Sequence, residues 1–311
     1  MINKNIVITG GAGFIGSNIC HKLCEENNLI VVDNLASGRI QNIKDLIDGE
    51  KITFYNKSIN DLDFLKRTFN GVDYVLHLAA ISSVPWSVDD PITTNKVNID
   101  GTLNVLIAAR ENNVKKVVYA STSAAYGDTA VMPINESVAT NPLSPYAISK
   151  LAAESYCKIF TDLYGLDTIS LRYFNVYGPR QDPKSQYAAV VPIFMSNVKN
   201  NRQAVIYGDG EQTRGFTYVD DVVQANVKAM ESKACGAYNI SGREQTSINE
   251  LARSISDLYG YDKGFSYESE RPGDIIHSYA DISKARNHID YEPKYSLKMG
   301  LELTKEWYDK E

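Results

Sequence analysis

Residues 5–23 read NIVITGGAGFIGSNICHKL, and no other stretch restricts the fold so tightly. The β-branched run NIVIT ends at three glycines, Gly10, Gly13 and Gly16, and an amphipathic stretch follows. Gly10 permits a tight turn, Gly13 lets the backbone approach a pyrophosphate, and Gly16 lets the helix lie close on a sheet. Phe14 and Ile15 then open a helix whose first amides and positive dipole end face the phosphates. The spacing is Gly-x-x-Gly-x-x-Gly, one residue wider than the commonest dinucleotide fingerprint, and a glycine trio alone also serves plain strand–helix packing. The acid downstream separates the two readings. Asp33 closes the next apolar run, seventeen residues beyond Gly16. A carboxylate there can bond the adenosine ribose hydroxyls and repel a 2′-phosphate, so the reading is NAD over NADP. Arg39, six residues on, softens that preference.

Further apolar runs at 29–32, 52–55, 72–80, 115–122 and 168–174 are continuous rather than alternating, as in strands buried on both faces. Helical patterns near 14–26, 60–69, 93–112 and 145–164 lie between them. This alternation predicts an α/β fold, a Rossmann-like doubly wound parallel sheet with a smaller C-terminal α/β substrate lobe. The expected division is 1–175 for the nucleotide domain and 176–311 for most of the smaller lobe, with 218–240 returning to the first domain. A length of 311 residues suits one large unit with an added lobe.

A net charge of −6 gives no reason to expect nucleic acid or anionic lipid as partner. No apolar run is long enough to span a membrane, and strand-like sequence at the N-terminus leaves no room for a signal peptide. Four cysteines without Cys-x-x-Cys spacing fit a reducing cytoplasm, and four scattered histidines form no metal-ligand pattern. No metal is expected.

The motif SPYAISK places Tyr146 and Lys150 at i and i+4, behind Ser144 as helix cap and Pro145 as first helical residue. A second Tyr-x-x-x-Lys, Tyr259 and Lys263, sits among glycines in LYGYDKG and reads as a surface helix stop. For Tyr146 to act as a base near neutrality, its pKa must fall by roughly three units, about 4 kcal/mol. A neighbouring ammonium and a cationic nicotinamide supply the right field. Ser121, Thr122 and Ser123 supply hydroxyls at the end of the fifth strand. A merely solvated helix face remains the alternative for the pair taken alone.

Taken with TGGAGFIGS, VVDNLASG, HLAA, NIDGTLNVL, STSAAYGD, LRYFNVYGPRQDP, IYGDGEQTRGFTYVDDVV and RPGDIIHSYADISKA, the chain resembles the extended short-chain dehydrogenase/reductases. Within them it is most similar to the NAD-dependent UDP-glucose/UDP-N-acetylglucosamine 4-epimerases, along essentially its whole length. The resemblance implies Tyr146 as base, Lys150 as its activator and a ribose contact, and Thr122 on the sugar 4-hydroxyl. It implies Asn34, Ser37 and Gly38 beside Asp33, and Ser58 and Ile59 flanking the adenine. Leu78, Ala79, Ala80, Asn98, Ser121 and Phe174 would line the rest of the cofactor site. For the UDP-sugar it implies Asn175, Arg214 and Arg271 at the diphosphate, with Val190, Val205 and Tyr207 at the uridine and Asp274 on its ribose.

A homodimer built on the helices near 93–112 and 145–164 is a further implication. Ser278 aligns with a gatekeeper that is a bulky tyrosine in glucose-restricted members. Ser82, Ser83, Ala188 and Ala189 are similarly small, so N-acetylated UDP-hexoses are expected as substrates beside plain ones. Gly215 replaces a common Asp and would loosen the loop holding Arg214. A 4,6-dehydratase would carry Asp-Glu where Ser123 and Ala124 stand, and a decarboxylase usually a Glu there. A catalytically silent NAD-binding sensor is the reading from another class, opposed by the intact Thr122, Tyr146 and Lys150.

Overall fold

The continuous apolar runs become buried parallel strands. The computed structural model describes residues 2–183, 189–270 and 275–310. Its strands are β1 (Asn5–Thr9), β2 (Asn28–Asp33), β3 (Ile52–Asn56), β4 (Tyr74–His77), β5 (Lys116–Thr122), β6 (Thr168–Tyr173), β7 (Val176–Tyr177) and β8 (Val205–Tyr207). Then come β9 (Thr213–Gly215), β10 (Thr217–Tyr218), β11 (Gly236–Ile240), β12 (Gln245–Ser247), β13 (Ser266–Glu268) and β14 (His277–Ser278). Among the described residues, seven form one all-parallel sheet in the order β11-β6-β5-β4-β1-β2-β3. The order reverses between β1 and β4, and in such sheets a ligand crevice opens beyond the carboxyl ends at that point.

The helices are α1 (Phe14–Leu23), α2 (Lys44–Asp48), α3 (Leu62–Thr68), α4 (Val84–Asp89), α5 (Pro91–Asn95), α6 (Gly101–Glu111) and α7 (Pro145–Tyr164). They continue as α8 (Val190–Lys199), α9 (Val219–Glu231), α10 (Ile248–Tyr259), α11 (Ser283–Ile289) and α12 (Leu297–Tyr308). One sheet face packs on α1, α9 and α11 through Ile19, Val222 and Ala285, the other on α3, α6 and α7 through Leu65, Leu106 and Ala153. A third core joins α8, α10 and the short strands β8 and β10 around Phe194, Met195, Leu251 and Ile255. Residues 219–240 run back to the main sheet, where β11 pairs with β6. No helix among the described residues is long and apolar enough to cross a membrane.

Several expected elements are shorter or more broken. The run 72–80 is strand only over Tyr74–His77, because the chain must leave the sheet at Leu78 to open the crevice. The helix expected near 93–112 is α5, one widened π turn (Lys96–Asp100) and α6 in succession. α4 precedes it, started by Ser83, whose hydroxyl accepts from the Trp86 amide. α7 has the expected bounds: Ser144 Oγ accepts from the Ala147 amide at 3.1 Å, and Gly165, at φ +69°, ends it. Tyr259 is half-buried in the third core rather than on the surface, although Gly260 does stop its helix and Lys263 is exposed.

An ion pair lies buried between α7 and the sheet. Arg172 Nη2 and Nε donate to Glu154 at 2.5 and 3.0 Å, Ser121 Oγ donates to the same carboxylate at 2.6 Å, and Arg172 Nη1 donates to the Tyr126 hydroxyl at 2.7 Å. Truncating one member leaves the other charged and unsatisfied, which costs several kcal/mol, whereas an apolar pair of similar volume does not. Arg172→Met should therefore lower unfolding stability by about 3–5 kcal/mol in urea titrations, and Glu154→Leu/Arg172→Met should recover most of it. Equal losses in the single and double variants would contradict this.

Candidate active site

The glycine turn is shaped by what each missing side chain would strike. A Cβ on Gly10, which has φ +73°, would lie 2.6 Å from the Ala79 amide nitrogen, so β1 and the segment after β4 meet backbone to backbone. A Cβ on Gly16 would sit 2.2 Å from the Gly10 carbonyl oxygen. On Gly13 it would meet only that same oxygen, at 3.2 Å, and otherwise point into open space. Gly13 caps α1 with no side chain over the helix end, so the first-turn amides at Phe14 and Ile15 are left for an external acceptor.

Asp33 closes the second side of the site. Its Oδ2 accepts from the Ala12 amide at 3.0 Å and its Oδ1 from the Leu35 amide at 2.8 Å, tying the end of β2 to the glycine turn. Burial pushes this carboxyl above its usual range, and the two amides oppose that. Gly38 lies so close that a Cβ would be 2.8 Å from either carboxylate oxygen. Asn34 and Ser37 are exposed in the same turn. Arg39 leans away to Asp182 at 3.8 Å. Ser58 follows β3, and the buried Ile59 packs in the core behind it. These residues fit a dinucleotide: a glycine-lined approach, open amides at a helix start and an acid at the ribose position.

A hydrogen-bond chain crosses from this turn to α7. Thr102 Oγ1 donates to the Asn98 carbonyl at 2.6 Å, so it accepts from His77 Nε2 at 2.9 Å. His77 Nδ1 is then an acceptor, and Thr9 Oγ1 donates to it at 2.7 Å while accepting weakly from the Ala79 amide at 3.3 Å. Asn98 holds Ile81 through both its amide atoms and donates to Ser149 Oγ, which donates to the Tyr146 carbonyl. His77 was not singled out from the sequence, although a histidine ending a buried apolar strand was the available signal.

Tyr146 starts α7 with its amide donating to Ser87 Oγ at 3.0 Å, and its side chain meets Thr122 at the end of β5. Burial raises the Tyr146 pKa and the neighbouring Thr122 hydroxyl opposes this only in part. The depression expected from Lys150 is not delivered by the protein groups. The reason is burial: it lowers the pKa of Lys150, whose Nζ stands over the ring of Tyr119 at 4.3 Å from its centroid, to about 7, so much of the expected positive charge is lost near neutrality.

Six of the residues expected on the substrate, Asn175, Ala189, Val190, Val205, Tyr207 and Arg214, line one cavity of about 440 Å³. Asn175 is held at φ +38°, and its buried Nδ2 has no hydrogen-bond partner in the protein. Arg214 Nη1 donates to the Thr213 and Ile276 carbonyls, which fixes the guanidinium at the wall. Phe216, Phe194 and Gln212 also line the cavity, and the sequence reading missed them.

Other expected residues fall elsewhere. Phe174 is wholly buried against Tyr126 in the core, so its ring offers no surface to a cofactor. Ser121 has spent its hydroxyl on Glu154, and the Asn98 amide is taken by protein partners. Leu78, Ala79 and Ala80 form the half-buried segment after β4, Ser83 caps α4, and Ser278 lies buried on β14 opposite Arg214. Ala188, Arg271 and Asp274 lie outside the described residues. Gly215 does not loosen its loop: β9 is paired on both sides, and a Cβ there would sit 2.5 Å from Ser241 Oγ.

A doubly wound parallel sheet, a glycine turn, an acid closing β2 and a Tyr–Lys pair beside β5 define an extended short-chain dehydrogenase/reductase. The chain belongs to the NAD dependent epimerase/dehydratase family, whose model matches residues 6–241, and NAD is its cofactor. It is 37% identical over 307 residues to a UDP-glucose 4-epimerase of Mycolicibacterium smegmatis, with 97% of each chain covered. Its fold matches the UDP-N-acetylglucosamine 4-epimerase of Methanobrevibacter ruminantium, solved in complex with UDP-N-acetylmuramic acid, with a TM-score of 0.96 at 44% identity, covering 100% of this chain and 99% of that one. It also matches the UDP-glucose 4-epimerase of Thermotoga maritima, solved with UDP-glucose, with a TM-score of 0.94 at 42% identity, covering 98% and 99%.

Burial lowers the His77 pKa to about 3, so this ring is neutral in the folded protein. The unfolded chain takes up a proton there below about pH 6.5 and the folded one does not, so stability is lost as pH falls. The contribution is about 1.4 kcal/mol per pH unit between roughly pH 6 and pH 4. Urea midpoints measured across this range should fall more steeply for the wild type than for His77→Asn, which should be less stable at pH 7. Parallel slopes would contradict the buried neutral ring.

Proposed function

We propose that the protein catalyses the reversible C4 epimerisation of UDP-hexoses, both plain and N-acetylated, through a 4-keto sugar. The observation that carries this reading is that Tyr146 and Thr122 come together at the end of β5, where the next two residues are Ser123 and Ala124. A base and a hydroxyl there can handle a 4-hydroxyl proton. With no carboxyl beside them, the acid and base needed to expel a C6 hydroxyl, as in a dehydratase, are missing.

Bound NAD supplies the hydride acceptor at C4 and, once reduced, the donor that returns it. Tyr146, as phenolate, takes the 4-hydroxyl proton through or alongside Thr122 and gives it back after the sugar has presented its other face. Lys150, one turn along the helix, supplies positive charge for the phenolate and a donor for the ribose. Asn175 Nδ2 and the Arg214 guanidinium hold the diphosphate, with Arg271 as a third group. The apolar wall of Val190, Val205 and Tyr207 holds the uridine, and Asp274 its ribose. Anchoring by the nucleotide leaves the hexose free to turn.

Ser278 decides which hexose fits. It lies on β14, paired with Arg214 of β9, where a small side chain leaves volume for an acetamido group. The relative solved with UDP-N-acetylmuramic acid supports N-acetylated UDP-hexoses as a substrate class. The exposed stripe Ile148, Ile159 and Leu163 on α7 supports a homodimer through this helix.

UDP-glucose and UDP-N-acetylglucosamine, incubated separately with the purified protein, should each yield the C4 epimer by proton NMR. No epimer from either would overturn the reading. Tyr146→Phe should lower kcat by about 10²–10⁴ while the protein keeps its NAD, as expected for loss of a general base. Ser278→Tyr should abolish turnover of the N-acetylated sugar and spare UDP-glucose. Unchanged turnover of both would remove Ser278 from the specificity assignment.

A further inference from the structure

We infer that Tyr119 is a positioning residue for the reaction, its aromatic face holding the Lys150 ammonium in place and in its charged form. Tyr119 lies on β5, three residues before Thr122, and is fully buried. Lys150 Nζ stands 4.3 Å from its ring centroid, close enough for the ring's negative face to stabilise a cation strongly once water is excluded. The ring is itself fixed: its hydroxyl donates to the Lys150 carbonyl at 3.4 Å, and its other neighbour is the His77 ring at 5.6 Å.

The remaining charges cannot substitute for it. Facing Lys150 are Tyr119 from β5, His77 from β4, and Glu154 and Cys157 from α7 itself, with Tyr146 one turn earlier on the same helix. Glu154 is committed to Arg172 of β6 and to Ser121. Burial raises Cys157 to about 12 and lowers His77 to about 3, so both stay neutral across the physiological range. The ring face is therefore the nearby group that favours the ammonium without being paired elsewhere. Weakening it should make Lys150 lose its proton at lower pH, and Tyr146, deprived of that charge, should need a higher pH to ionise.

The test keeps the shape of the side chain and changes only its electrostatics. Phenylalanine, 4-fluorophenylalanine and 3,4,5-trifluorophenylalanine are installed at position 119, and fluorine progressively drains the ring's negative face. The Lys150 ammonium is titrated by nitrogen-15 NMR, with its signal assigned by Lys150→Met. The midpoint should stay near the wild-type value with phenylalanine and fall stepwise by about one pH unit in total across the series, a tenfold change in proton affinity. The acidic limb of kcat should move upward in the same order, with the KM for UDP-glucose unchanged within about twofold. A midpoint constant across the series would overturn the inference. So would Tyr119→Phe alone shifting it as far as the trifluoro ring, because the hydroxyl and not the face would then be responsible. The kinetic arm rests on the epimerase reading and the titration does not, so an inactive wild type would sink that reading and leave the titration to decide this one.

Discussion

The site depends on a contact that no side chain makes. Gly10 and Ala79 bring the ends of β1 and β4 together backbone to backbone, at the point where the sheet reverses its strand order. Any side chain at position 10 would force these strands apart and would also need the positive φ that L residues avoid. Because the two ends meet, Thr9 can reach His77, His77 can reach Thr102, and the bonds continue through Asn98 and Ser149 to the carbonyl of Tyr146. The nucleotide-binding turn and the start of α7 are thus parts of one buried polar chain. Such a chain is specific only if every member is satisfied, and the donor directions along this one are all determined.

The chemistry at the far end of that chain is governed by burial more than by charge pairing. Burial raises the pKa of Tyr146 and lowers that of Lys150, so each group is driven toward its neutral form. A base formed this way works only when positive charge arrives beside it. Lys150, as held over Tyr119, and the positively charged nicotinamide of the family's cofactor together supply that charge. In the proposed reaction, chemistry then starts only in the loaded site, which suits a hydride that must return to the sugar it came from.

Much of this was legible in the sequence because it follows from local rules. The continuous apolar runs marked strands covered on both faces, the three glycines and Asp33 marked the nucleotide turn, and Ser144-Pro145 marked the start of α7. What was not legible depends on contacts between distant segments. Nothing local shows that Phe174 turns into the core, that Ser121 gives its hydroxyl to Glu154, or that Gly215 makes room for Ser241. The orientation of Lys150 toward Tyr119 was equally hidden, because its spacing from Tyr146 is compatible with either partner. The cavity around Asn175 and Arg214 gathers residues from five separate segments, so only the family resemblance could group them in advance.

On the proposed mechanism, one pocket holds the hexose from the first hydride transfer to the second, with nothing released between. This is tested most directly with UDP-glucose carrying deuterium at C4, followed to equilibrium in ordinary water. The account predicts that the deuterium stays at C4 in both epimers. Replacement of the label by solvent hydrogen, or release of free, unlabelled 4-keto sugar with the deuterium carried off on reduced cofactor, would contradict it.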